Sequence, residues 1–93
     1  MAKAEIRIEW SEEKNELLKK ARGVSFEKVA TIIESGTILD DIKHPNQKKY
    51  PNQKMYILEI DQHVFIVPFV EDDEKIFLKT IIPGRKYTKM YLQ

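Results

Sequence analysis

Cations and aromatic rings make up most of the side chains in this sequence that are able to do chemistry. Residues 75–93 carry five lysine or arginine side chains and no acid, and residues 43–54 carry four lysines and no acid. The formal net charge is only +1, so the acids are concentrated elsewhere. This asymmetry predicts one basic face that binds an anionic partner, although an ordinary solvated surface gives the same pattern.

The reaction best suited to such a set is cleavage of RNA without a metal ion. The ribose 2′-hydroxyl attacks the neighbouring phosphate, which requires a proton acceptor, cations for the phosphorane and a proton donor for the leaving oxygen. Histidine or lysine moves protons, arginine pairs with two phosphate oxygens, and tyrosine stacks on unpaired bases. The side chains available for these roles are Tyr56, Lys79, Arg85, Lys86, Tyr87, Lys89, Tyr91 and the two histidines, His44 and His63.

Other chemistries have weaker support. The sequence has no cysteine, which excludes a thiolate nucleophile, a disulfide scaffold and cysteine-ligated zinc. The three serines lie at predicted helix ends, and the three glycines form no phosphate-binding loop. A loose metal site from Asp40, Asp41 and His44, or from the acidic residues 71–74, is a further option, but acidic hairpin tips are usually only solvated. We therefore expect no metal and no cofactor.

Several candidates also have a purely structural interpretation. Tyr56 fits a half-buried strand aromatic, and His63 fits a structural residue at the start of a strand. Lys79 is the most informative, because it interrupts an apolar run. A lysine in that place either extends to solvent at a sheet edge or lines a functional face.

The first part of the chain predicts a strand and two helices. Alternating polar and apolar side chains at residues 5–10 indicate the strand. Ser11 and Gly23 fit the ends of the first helix, and Ser25 and Gly36 fit the ends of the second. The residues expected to face the core here are Ile6, Ile8, Trp10, Phe26, Val29, Ala30 and Ile33.

The remainder of the chain predicts a meander of strands followed by a short helix. The expected elements are strands at residues 37–42, 54–60, 63–70 and 75–82 and a helix at residues 85–92. We interpret the first of two near-identical hexads, PNQKKY at 45–50 and PNQKMY at 51–56, as a loop and the second as the entry to a strand. Asp61 and Gln62 form a two-residue turn candidate, and residues 71–74 form the next hairpin tip.

Two details of these strands affect where side chains point. Residues 63–70 are almost continuously apolar, as in a central strand covered on both faces, and Pro68 predicts a bulge or irregular pairing because it has no N–H to donate. Strict alternation over residues 75–82 predicts one face with Phe77, Lys79 and Ile81. The other face would then carry Ile76, Leu78, Thr80 and Ile82.

Together these elements predict a single α+β domain over residues 1–93, in the order β-α-α-β-β-β-β-α. The sheet is expected to be antiparallel, with the helices packed on one face. The apolar run from Val64 to Val70 is far too short to span a membrane, and residues 1–10 do not resemble a signal peptide. We therefore expect a cytoplasmic protein.

Three short segments of the chain are similar to one known family. Residues 8–15, IEWSEEKN, resemble a strand that leads into a helix, and residues 22–27, RGVSFE, resemble the segment that opens the second helix at the same spacing. Residues 81–88, IIPGRKYT, resemble a segment IISARKAT at the end of the last strand. The family is BrnT, small toxins of bacterial type II toxin–antitoxin systems, and the resemblance frames nearly the whole chain.

The resemblance implies a fold similar to RelE-type ribonuclease toxins, metal-free RNA cleavage and inhibition of translation. It also implies a cognate antitoxin, typically of ribbon-helix-helix type, that covers the toxin and represses the operon, so that DNA is contacted only through the antitoxin. Arg85 and Lys86 match the family's Arg-Lys pair, which implies that Arg85 contacts the phosphate or the transition state. Arg22 stands where the family has a histidine, which favours an alternative: a non-catalytic module that binds the antitoxin or RNA.

The leading hypothesis is therefore a RelE-like ribonuclease toxin. We expect Arg85, supported by Lys79 and Lys86, to stabilise phosphate charge, and His44 or Tyr91 to transfer protons. The residues expected to contact RNA are Lys48, Lys49, Lys54, Tyr56, Tyr87 and Lys89.

Overall fold

Two helices and six strands form the described part of the chain, residues 7–43, 48–49 and 53–85 of a computed structural model. The strands are β1 (Arg7–Trp10), β2 (Asp40–Lys43), β3 (Gln53–Ile60), β4 (His63–Glu71), β5 (Lys75–Leu78) and β6 (Ile82–Pro83). The helices are α1 (Glu12–Arg22) and α2 (Phe26–Ser35). Side chains of both helices join those of the sheet in one hydrophobic core, which confirms the α+β class.

Serine caps begin both helices and glycine residues end them, at the positions that the sequence predicts. The hydroxyl of Ser11 accepts a hydrogen bond from the Lys14 N–H, and the hydroxyl of Ser25 accepts one from the Lys28 N–H. α1 ends at Gly23, whose φ of 69° lies in the left-handed region that glycine adopts without a Cβ clash. The link between the helices is therefore short, and α2 starts directly beside the end of α1.

A buried asparagine joins the two helices. Asn15 is 0% exposed; its Oδ1 accepts a 2.8 Å hydrogen bond from the Phe26 N–H, and its Nδ2 donates a 2.9 Å bond to Oε1 of Glu27. The Phe26 N–H is one of the donors at the start of α2 that have no partner within the helix. Asn15 satisfies this donor and thereby fixes how α2 begins relative to α1.

The sheet is mixed, and the expectation of an antiparallel sheet is wrong for one pair of strands. The strand order is β1-β5-β4-β3-β2 with β6 paired to β4, and β1 runs parallel to β5. The two helices carry the chain from β1 to the far edge of the sheet, and the antiparallel meander from β2 to β5 then returns beside β1 in the same direction. Alternating residues identify a strand but not the direction of its neighbour.

The central strands are buried on both faces. Leu58 of β3 and Phe69 of β4 belong to the core beneath the helices. Ile57 and Val64, which alternation places on the opposite face, are only 0% and 1% exposed. This arrangement confirms the prediction that residues 63–70 form a central strand.

A β-bulge separates β5 from β6, which pair with the same edge of β4. The three residues 79–81 stand opposite the two residues 67–68. Lys79 lies opposite Pro68, and its N–H donates a 2.8 Å bond to the Pro68 carbonyl oxygen. Proline has no N–H to return, so the ladder is weak at this point. The irregular pairing predicted at Pro68 is confirmed.

The bulge reverses the faces predicted for the end of this strand. Ile81 is 0% exposed and belongs to the same core cluster as Leu78, whereas Ile82 is 41% exposed. Strict alternation predicts that Ile82, and not Ile81, shares a face with Leu78. That prediction is wrong because one extra residue moves every later side chain to the other face.

Other predicted elements differ in their bounds or lie outside the described residues. β2 spans Asp40–Lys43 rather than residues 37–42. The predicted C-terminal helix over residues 85–92 lies outside the described residues except for Arg85, and the predicted loop at 45–50 lies outside them except for 48–49. Within the described chain, neither helix combines the length and apolar character needed to cross a membrane.

Candidate anion-binding site

A cavity of about 300 Å³ brings together three basic side chains from distant parts of the chain. Its lining consists of Arg22, His63, Val64, Phe65, Pro83, Gly84 and Arg85. Arg22 ends α1, His63 begins β4, and Arg85 follows β6. The cavity therefore lies where the end of one helix meets one end of the sheet.

Backbone contacts along β4 hold Arg85 at this cavity. The Gly84 N–H extends the pairing of β6 with a 2.9 Å hydrogen bond to the Val64 carbonyl oxygen. A Cβ at Gly84 would come within 3.1 Å of Cγ1 of Ile66, so this close approach favours glycine. Arg85 is the next residue, and it is held beside the start of β4 with its side chain exposed.

Two tight turns position the other basic side chains. Arg22 directly precedes Gly23, the left-handed residue that ends α1. His63 follows Asp61 and Gln62, which have φ values of 53° and 70°, as in a type I′ hairpin turn. The turn predicted at these two residues is confirmed. Nδ1 of the His63 ring lies 3.1 Å from the Asp61 carbonyl oxygen.

Neither guanidinium group has a counter-ion within the described part of the chain. No salt bridge there includes Arg22 or Arg85, and no carboxylate is among the described residues that line the cavity. Arg7, by contrast, pairs with Glu9 at 3.8 Å. Two unneutralised guanidinium groups in one concavity create a positive potential, and their planar N–H groups match the oxygens of a phosphate. The arrangement is suited to binding an anion.

A second cavity, of about 260 Å³, is less suited to a charged ligand. Its lining consists of Val70, Glu71, Asp72, Lys75 and Phe77. Glu71 pairs with Lys54 at 3.4 Å, and Oδ1 of Asp72 accepts hydrogen bonds from the N–H groups of Glu74 (2.8 Å) and Lys75 (2.9 Å). These two hydrogen bonds lower the pKa of Asp72. The two acidic side chains that line this cavity, Glu71 and Asp72, are therefore already engaged with other groups of the protein.

Of the predicted catalytic residues, Arg85 lines the first cavity and Lys79 does not. Lys79 is exposed at the bulge, opposite Pro68, whereas the residue before Arg85 is bonded to Val64. Val64 and Pro68 are four residues apart on β4, which corresponds to about 13 Å. The sequence predicts that Arg85 and Lys79 act on the same phosphate. Their backbones instead lie at separate positions along β4.

The described lysines among the predicted RNA contacts do not line the cavity. Lys48 and Lys49 are exposed. Lys54 forms the ion pair with Glu71 at the opposite end of β3 from the Asp61–Gln62 turn. None of these three lysines contributes to the lining of the cavity.

Tyr56 belongs to the core. It is only 7% exposed, and its ring stacks on Phe69 with centroids 4.1 Å apart. Burial, together with the nearby charges of Asp41 and Glu71, raises the pKa of Tyr56 to about 12. A ring in this position is not available to stack on a base, so we do not retain Tyr56 among the RNA contacts.

Five predicted site residues lie outside the described residues, and their roles stay predictions: His44, Lys86, Tyr87, Lys89 and Tyr91. The loose metal site proposed for Asp40, Asp41 and His44 falls partly outside them as well. Among the residues that are described, no three histidine, aspartate or glutamate side chains lie close enough together to hold a metal ion.

From the sequence, His63 is among the side chains available for chemistry but not in the predicted site, and Arg22 is in neither set. The signal for Arg22 was its position in the RGVSFE segment, where the BrnT family has a histidine. For His63, the only sequence signal was its position directly after a predicted tight turn. The tertiary arrangement of α1, β4 and β6 places both of them beside Arg85 around one cavity, and no local pattern encodes that arrangement.

Comparisons with known proteins do not bear on this cavity, because no family model, curated protein or solved structure matches the chain. Its interpretation therefore depends on its own residues and their arrangement.

Proposed function

We propose that this protein is a metal-independent endoribonuclease, a RelE-like toxin similar to the BrnT family. The observation that supports the proposal is the shared cavity of Arg22 and Arg85. These residues belong to two separate segments that resemble the family, and they are far apart in the sequence. Their convergence is what one active site built from both segments requires.

The two guanidinium groups would bind the non-bridging oxygens of the scissile phosphate. Each can donate two parallel N–H bonds to a phosphate group. Their positive charge stabilises the additional negative charge that develops as the 2′-oxygen attacks phosphorus. Among the described residues, the lining of the cavity includes no carboxylate that would neutralise this charge.

The proposed activity would inhibit translation in the cytoplasm. A cognate antitoxin, of ribbon-helix-helix type, would cover the site and would carry the contact with DNA. RNA and this antitoxin are therefore the proposed partners, with no cofactor and no membrane.

A second candidate function is a non-catalytic module that binds RNA or the antitoxin. The observation that favours it is the arginine at position 22, where the resembling family has a histidine. A guanidinium group does not accept a proton at physiological pH, so that position cannot act as a base. The same cavity would then hold a phosphate without cleaving its ester bond.

Cleavage of a labelled RNA by the purified protein in EDTA tests the proposed function. We expect products that end in a 2′,3′-cyclic phosphate, and we expect Arg85→Ala to lower kcat/KM by about 100-fold, since one lost stabiliser of transition-state charge typically costs that much. Arg85→Lys should restore only part of the rate, because an ammonium lacks the planar fork. Arg7→Ala is the matched control and should cleave normally, because Arg7 is an exposed cation that pairs with Glu9 on β1.

The possible results separate the two candidates. Equal cleavage by the unsubstituted protein and Arg85→Ala would contradict the proposed catalytic role of the cavity. RNA binding without cleavage, lost in Arg22→Ala and in Arg85→Ala, would favour the binding module. Neither binding nor cleavage would contradict both.

A further inference from the structure

We infer that His63 is the proton acceptor of this site and that the preceding turn holds its ring in the tautomer that this role requires. The inference rests on the proposed function, which supplies the reaction. Among the described residues that line the cavity, His63 has the only side chain that can take a proton from a hydroxyl group. Arginine stays protonated, and the other lining residues are apolar or glycine.

One hydrogen bond determines which ring nitrogen carries the hydrogen atom. Nδ1 of His63 lies 3.1 Å from the backbone carbonyl oxygen of Asp61. A carbonyl oxygen only accepts hydrogen bonds, so Nδ1 is the donor, and in the neutral ring Nε2 keeps its lone pair. Since Nδ1 is engaged with the hairpin backbone, Nε2 is the nitrogen left for a ligand in the cavity.

The backbone of the turn brings the Asp61 carbonyl group to the ring. Asp61 and Gln62 have φ values of 53° and 70°, a left-handed conformation that residues with a Cβ rarely adopt. A type I′ turn requires this conformation at both of its central residues. Asp61 is thus a positioning residue that acts through its main chain, and its carboxylate has no part in the role.

The reaction balances with His63 as the only protein group that exchanges a proton. Nε2 takes the proton of the ribose 2′-hydroxyl while the 2′-oxygen forms a bond to phosphorus. The bond between phosphorus and the 5′-oxygen breaks, and the leaving oxygen takes a proton from water. The products are a 2′,3′-cyclic phosphate and a 5′-hydroxyl, and the imidazolium returns its proton to the hydroxide formed from that water.

Kinetics on a labelled RNA separate proton transfer from binding. We expect His63→Gln to lower kcat by about 100-fold, a usual contribution of a general base. The Kd for the same RNA with a 2′-O-methyl ribose at the cleavage site should change by less than about threefold, because the lost interaction belongs to the transition state. Exogenous imidazole should restore part of the rate to His63→Ala. Arg7→Ala is again the control; Arg7 is exposed on β1 and does not line the cavity, so its rate should equal that of the unsubstituted protein.

Nitrogen NMR of the labelled full chain tests the geometry without any cleavage. When the ring is neutral, the shifts of its two nitrogens should place the hydrogen of His63 on Nδ1, and a His44→Gln variant identifies which signals belong to His63. Inorganic phosphate should shift the Nε2 signal of His63 and leave that of an Arg22→Ala/Arg85→Ala variant unchanged. A hydrogen on Nε2 would overturn the inference whatever the result with RNA.

The results also distinguish failure of this inference from failure of the proposed function. Cleavage that survives in His63→Gln at the normal rate overturns the role of His63 and leaves the ribonuclease proposal intact. Absence of cleavage by the unsubstituted protein contradicts the ribonuclease proposal, and the proton-acceptor role falls with it. Cleavage that is lost in His63→Gln while RNA binding is retained supports both.

Discussion

Among single residues, Asn15 has the most direct influence on how the helices are arranged. It is the buried polar side chain of the described chain, and both of its amide atoms are used, one by the Phe26 N–H and one by the Glu27 carboxylate. Loss of such a partner leaves a buried donor unsatisfied, and that penalty exceeds the net contribution of an average hydrogen bond.

We therefore expect Asn15→Ala to lower the free energy of unfolding by about 1–3 kcal/mol. Urea denaturation monitored by circular dichroism measures the change. Lys20→Ala, an exposed position on the same helix, is the control and should change the free energy by less than about 0.5 kcal/mol. Equal losses in the two variants would contradict the role assigned to Asn15.

The same variant should change the titration of Glu27. The pKa of this carboxyl lies below its ordinary value of 4.5, mainly because Asn15 donates a hydrogen bond to it, with smaller effects from its own backbone N–H and the charge of Lys19. A lowered folded pKa contributes stability that is present above pH 4.5 and is lost as the pH falls through the folded value. In Asn15→Ala we expect the pKa of Glu27 to rise, as measured by NMR titration of its carboxyl carbon. An unchanged pKa would show that another group is the main cause.

Among the elements, the bulge between β5 and β6 has the largest effect on which side chains reach the core. Without it, the chain after Lys79 would continue in register with β4, and the later residues would exchange faces. The bulge also determines how β6 approaches the start of β4, and therefore how Arg85 arrives at the cavity.

A pair of alanine substitutions tests the bulge directly. Ile81→Ala should lower the free energy of unfolding by about 2–5 kcal/mol, because it removes a fully buried side chain. Ile82→Ala should cost less than about 1 kcal/mol, because that side chain is 41% exposed. Chemical denaturation of the two variants measures the difference. Strict alternation predicts the reverse order, so a larger loss in Ile82→Ala would contradict the bulge.

For the molecule as a whole, local sequence patterns predict most helices, strands and turns, but they do not predict how the strands pair across the sheet. The helix ends at Ser11 and Gly23, and the turn at Asp61, follow from side-chain and backbone preferences that act within a few residues. The parallel pairing of β1 with β5 joins residues at opposite ends of the sequence, and no local preference specifies it.

The candidate site shows the same limit. Arg85 is predicted from its motif, but its neighbours Arg22 and His63 are not part of the predicted site, because their meeting depends on the tertiary arrangement of α1 and β4 around one cavity. Lys79 was predicted as a partner of Arg85 from its interruption of an apolar run. The interrupted apolar run correctly predicts that Lys79 is exposed. It does not specify which cavity the lysine side chain lies near.

Two guanidinium groups that form no ion pair with any described residue share one cavity, so phosphate should raise the stability of the whole protein. A ligand that binds only the folded state stabilises it by about 1.4 kcal/mol at ten times its Kd. We expect inorganic phosphate to raise Tm by more than sodium chloride does at the same ionic strength. Thermal unfolding of Arg22→Ala/Arg85→Ala should lose this difference, and Arg7→Ala should keep it. A rise in Tm that persists in the double variant would place the phosphate elsewhere.

The parallel contact between β1 and β5 has a consequence for the order in which the fold and the anion site form during synthesis. Arg7 of β1 cannot pair with Lys75 of β5 until Lys75 has left the ribosome. The cavity lacks one of its two arginines until Arg85 has also left it. A nascent chain that ends before Lys75 has neither the β1–β5 strand pair nor a complete anion site. The anion site is therefore incomplete in every nascent chain that has not yet reached residue 85.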